Sequence, residues 1–64
     1  MSKSLFKDTF YVSSENNLYL FKVVKFEMGV VTVQAYDKVT HEAIPDSTSK
    51  ISRRRAVLIF SRVD

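Results

Sequence analysis

Val30 to Tyr36 alternates cleanly at a period of two, with Val31, Val33 and Ala35 set against Val30, Thr32, Gln34 and Tyr36. That pattern predicts a strand with one face on a core. The run before it, Leu18 to Met28, is the longest extended candidate. Leu18 and Leu20 fall on one side and Tyr19, Phe21 and Val23 on the other, and only Lys22, Lys25 and Glu27 interrupt. A strand buried on both faces, or a long strand that bends, produces such a pattern. Between the two runs stands Met28-Gly29. The only glycine of the chain supplies the positive φ of a tight hairpin turn there.

Leu5 to Val12 alternates less perfectly and predicts a first strand, closed by the polar run Ser13 to Asn17. Asp37 to Glu42 predicts a hairpin connection. Ala43-Ile44 then begins a short return strand that Pro45 stops or confines to a sheet edge. Asp46 to Ser49 is a polar linker that closes the break from Pro45 to Ser49.

The last segment, Ile51 to Val63, permits two conformations. As a strand it carries Arg53, Arg55, Val57, Ile59 and Val63 on one face and Arg54, Ala56, Leu58, Phe60 and Arg62 on the other; the β-branched residues favour this. As a helix it aligns Ser52, Ala56, Ile59, Phe60 and Val63, with N-cap residues available from Asp46 to Ser49. Three arginines in the first turns oppose the helix dipole, so the strand is preferred. Five strands with short connections predict an all-β domain, a small five-stranded SH3-like or OB-like barrel. The alternative is a three- or four-stranded antiparallel sheet with a C-terminal helix.

Composition narrows the means of stabilising such a domain. Sixty-four residues form a single domain, 1–64, that buries only about 60% of its unfolded surface. With no cysteine and one histidine, disulfides and thiolate metal sites are excluded. Five Phe and three Tyr supply core material, and a homodimer is a second way to use it. The N-terminus lacks the apolar run of a secretory signal, and no stretch has the length of a membrane span, so a cytoplasmic location without membrane insertion is expected.

Charge adds an asymmetry. Residues 1–49 hold five lysines against six acids, a net −1, and residues 50–64 hold five basic residues against Asp64, a net +4. The whole positive excess lies at the C-terminal end, which points to an anionic partner. Arg53, Arg54 and Arg55, extended by Lys50 and Arg62, are the candidate contacts for phosphate oxygens, because guanidinium groups grip them bidentately. Tyr11, Tyr19, Phe21 and Tyr36 are candidate stacking faces for bases, Tyr36 foremost among them. Against this, consecutive arginines on a strand project to alternate faces and cannot line one flat patch.

Other chemistry finds less support. His41 has no evident nucleophile or orienting partner, so no enzyme activity is expected. Asp37, His41, Glu42 and Asp46 match no metal-ligand spacing, and one glycine cannot build a phosphate loop, so neither metal nor cofactor is expected. The residues predict a non-catalytic binding module for nucleic acid through phosphate contacts. The competing expectation is a protein-protein interaction or inhibitor module that binds an acidic or strand-edge surface of a partner.

Overall fold

Strand pairing in the computed structural model, which describes residues 5–63, builds one five-stranded antiparallel sheet of order β4-β3-β2-β1-β5. The strands are β1 (Phe10–Ser13), β2 (Tyr19–Glu27), β3 (Val30–Asp37), β4 (Ala43–Ser52) and β5 (Phe60–Arg62), with one short helix, α1 (Arg53–Ile59), between the last two. The fold is mostly β, and the helix lies in the segment where a continuous strand was preferred. The extreme N-terminus, for which the sequence predicts no secretory signal, and Asp64 lie outside the described residues.

The β2–β3 hairpin forms as its pattern predicts. Glu27 pairs with Val30 across Met28-Gly29, and Gly29 takes φ +71°. The break in the alternation of β2 after Val23 has a local cause. Val23 pairs with Val33 but Lys25 pairs with Thr32, so Val24 is an inserted bulge residue. The bulge resets the alternation: Phe21, Val23 and Phe26 share the core face, and Lys22, Lys25 and Glu27 share the other. Without it, Lys25 would follow Val23 into the core.

Two other expectations change. β1 begins only at Phe10, because Asp8 adopts φ 60° and breaks the extended run; Lys7 makes a lone parallel bridge to Val23. β4 runs through the predicted linker at Asp46 to Ser49. It is an edge strand, where Pro45 costs no ladder hydrogen bond. Gln34 pairs with Thr48 and Tyr36 with Ala43, so the four residues Ile44 to Ser47 arch past Ala35, with Asp46 at φ 56°. The Gln34 side chain satisfies the arch: the two hydrogens of its Nε2 are shared among Ile44 O at 2.7 Å, Ala35 O at 3.0 Å and Ser47 Oγ at 2.6 Å.

The sheet is strongly curled but not closed. Four inter-strand spacings separate β4 from β5, about 19 Å if flat, whereas the eight helical steps from Ser52 to Phe60 cover only about 12 Å. The edges must approach each other, yet β4 and β5 are not paired, so closure into a barrel is not seen. α1 lies over the hollow side. Its Ala56 is fully buried and joins Leu5, Tyr11, Val23, Val31, Val33 and Phe60 in the core. Phe60 stacks on Tyr11 at 5.9 Å and on Phe21 at 5.6 Å between centroids, and the buried Tyr11 hydroxyl accepts a hydrogen bond from Phe6 N–H at 2.8 Å.

Candidate functional site

The C-terminal arginines owe their arrangement to the start of α1. Ser52 ends β4 in extended geometry and caps the helix, its Oγ accepting from Arg55 N–H at 3.1 Å. Arg53 N–H donates to Gly29 O at 3.0 Å, so the hairpin tip satisfies another of the N–H groups that a helix start leaves unpaired. Arginine, alanine and leucine are good helix formers, and the lack of a β-carbon branch on Ala56 lets the helix seat closely on the sheet.

Successive helical residues stand about 100° apart. With Ala56 facing inward, Arg54 and Leu58 occupy the outermost line, Arg55 stands about 100° from Ala56 on one flank, and Arg53 stands about 60° from it on the other side, nearer the sheet. All three arginines are exposed, and Leu58 is 76% exposed. All three are left exposed around one helical turn, with Arg54 outermost. Arg55 Nη2 forms an ion pair with Glu15 Oε2. Among the described residues, the guanidinium groups of Arg53 and Arg54 have no side-chain partner.

The other candidates stand apart from this turn of helix. Arg62 is exposed on β5 opposite Tyr11. Lys50 lies on the outer face of the sheet in the row Lys25, Thr32, Lys50, and its Nζ is 3.5 Å from Glu27 Oε1. Tyr36 is six residues along β3 from Val30, the partner of Ser52, and so about 20 Å from the helix start. Its ring meets Phe10 edge-on at 5.2 Å, and Lys22 Nζ sits 4.8 Å from its centroid and 4.5 Å from that of Phe10. The structure therefore gathers Arg53, Arg54 and Arg55, and does not bring Tyr36 to them. Of the other proposed stacking faces, Tyr11 is buried and the half-buried Phe21 packs against the core; Tyr19 is exposed.

Four side chains gain significance that their sequence positions do not signal. Glu15 meets Arg55 across 40 positions. Leu58 is left uncovered beside Arg54. Lys22 and Lys25 share the outer face only because of the bulge.

The Asp37 carboxylate serves the β3–β4 connection. Asp37 Oδ1 accepts from Val39 N–H at 2.7 Å and Thr40 N–H at 2.9 Å. The Thr40 and then the Val39 N–H hold its pKa below the ordinary carboxylate value. His41, at φ 62°, packs its ring 5.1 Å from Phe10. Among the described residues no three His, Cys, Asp or Glu side chains converge in a way that could hold a metal ion, and no helix is long and apolar enough to cross a membrane. No family model matches the chain, and neither does a curated protein or a solved structure.

Proposed function

We propose that the chain is a non-catalytic binding module that engages nucleic acid through phosphate contacts made by Arg53 and Arg54 on α1, with Arg55 beside them and Arg62 and Lys50 at the margins. The observation that carries this reading is the exposure of three consecutive guanidinium groups around one helical turn, two of them without an acidic partner among the described residues. Such groups suit phosphate oxygens, and contacts of this kind position a duplex or strand with little sequence preference. Tyr36 is a weaker participant, since its ring already engages Phe10 and Lys22. The curled sheet with α1 across its gap is read as an SH3-like or OB-like barrel open at the β4–β5 seam, acting in the cytoplasm.

Titration of labelled single- and double-stranded DNA and RNA at two salt concentrations tests the proposal. Phosphate neutralisation gives a steep fall of affinity with salt, and absence of binding at low salt would rule the reading out.

Leu58 favours a second reading. A leucine 76% exposed sets bare apolar surface beside Arg54, and arginine is among the residues enriched where protein interfaces concentrate their energy. On that account α1 docks on an acidic protein surface, and Leu58→Ala weakens capture as much as Arg54→Ala. A nucleic-acid interface instead responds to Arg54→Ala alone. Self-association through the open edges of β4 and β5 is a further proposal, decided by light scattering.

A further inference from the structure

We infer that Glu15 is an internal competitor for the arginine surface: its carboxylate occupies Arg55, and an anionic partner engages that guanidinium only by displacing it. The inference rests on the nucleic-acid reading and adds to it a device that sets affinity.

The loop that follows β1 is fixed along one flank of α1. Ser14 N–H donates to Ile59 O at 2.9 Å, and the next residue, Glu15, pairs with Arg55. Arg55 and Ile59 are four residues apart and so stand one above the other on the same side of the helix. The buried Ser13 steers the acid, its Oγ accepting from Glu15 N–H at 3.1 Å. A backbone hydrogen bond and a side-chain cap therefore hold Glu15 where it faces one of the three guanidinium groups.

The pair is open to exchange. Its side chains are 57% and 48% exposed for Arg55 and Glu15 respectively, and solvent-exposed ion pairs contribute little to folding. A polyphosphate bound to Arg53 and Arg54 presents further oxygens at high local concentration and can take Arg55 from a single carboxylate. Where Glu15 is displaced, the cost of that exchange lowers the affinity; where it stays in place, the wild-type complex has one phosphate contact fewer.

Anisotropy titrations of the full chain with labelled random-sequence duplex DNA test this, across salt from about 50 to about 200 mM. In Glu15→Gln the third arginine is released. The variant should bind more tightly at low salt and lose about 3.5-fold more affinity than the wild type over that range, the effect of one added phosphate contact. Adding Arg55→Ala to Glu15→Gln should remove both differences. In the wild-type background, Arg55→Ala should weaken binding less than Arg54→Ala, a comparison that does not depend on the folding of the Glu15 variant. Wild-type binding with the same affinity and salt slope in Glu15→Gln would overturn the role of Glu15 while leaving the nucleic-acid reading intact. Failure of the wild type to bind at low salt would overturn both.

Discussion

The carbonyl of Gly29 accepts a hydrogen bond from the backbone N–H of Arg53 at 3.0 Å, which fastens the tip of the β2–β3 hairpin to the first residue of α1. The turn that sets the strand register thus also sets where the arginines begin. Gly29 has φ +71° and nothing within 4 Å of where a β-carbon would stand, so a substitution there is opposed by backbone strain and not by a clash. Gly29→Ala is expected to lower stability by about 1–2 kcal/mol. Gly29→Asn should lose less, because asparagine tolerates the left-handed region. Urea denaturation midpoints at unchanged m-value check both.

The arginines at the start of α1 work against the helix that carries them. No acidic residue lies in the first turn, and positive side chains there oppose the helix dipole. Arg54→Glu should therefore raise stability by about 0.3–1 kcal/mol while weakening binding to DNA. Thermal melts and anisotropy on the same samples would show the two effects moving in opposite directions. A fall in stability would mean that Arg54 serves the fold.

Phe60 joins the rings of Tyr11 and Phe21 in the core and is 2% exposed. Removing such a ring costs about 3–5 kcal/mol, against a total stability on the order of 3–10 kcal/mol for a chain of this size. Phe60→Ala should leave a large fraction of molecules unfolded at room temperature, seen as collapsed dispersion of amide resonances. Phe60→Leu should retain the folded spectrum with a lower melting temperature.

Acid should loosen the β3–β4 connection. The carboxylate of Asp37 has its pKa lowered by the N–H groups of Thr40 and Val39. Its contribution to stability is thus present above the unfolded-state value of about 3.9 and is lost as pH falls through the lower folded value. Asp37→Asn lacks that component, so the stability difference between wild type and variant should shrink as pH is lowered from about 5 to about 2. Unfolding midpoints across that range provide the measurement.

How far the chain could be read without its fold varied with how local each interaction is. The β2–β3 hairpin was legible because alternation and a single glycine act within a few residues. β4 was legible only at its start: the polar run from Asp46 to Ser49 carries no apolar signal, and its place in the sheet depends on pairing with β3 and on Gln34 spanning the arch at Ile44 to Ser47. In β2, the bulge at Val24 decided which lysines face outward. The basic segment was legible as a candidate, but the pairing of Arg55 with Glu15 joins residues 40 positions apart, and no pattern along the chain encodes it.

By itself, the order of amino acids determined a mostly β chain, its tightest turn, the apolar residues able to fill a core, and the concentration of positive charge after Lys50. Only the tertiary structure decided the conformation of Arg53 to Ile59. Valine and isoleucine there suit a strand as readily as alanine and leucine suit a helix. The helix is favoured by tertiary contacts, with Ser52 and Gly29 satisfying the first N–H groups and Ala56 fitting beneath. That choice spread the three arginines, all exposed, around one helical turn and not over opposite faces of a strand.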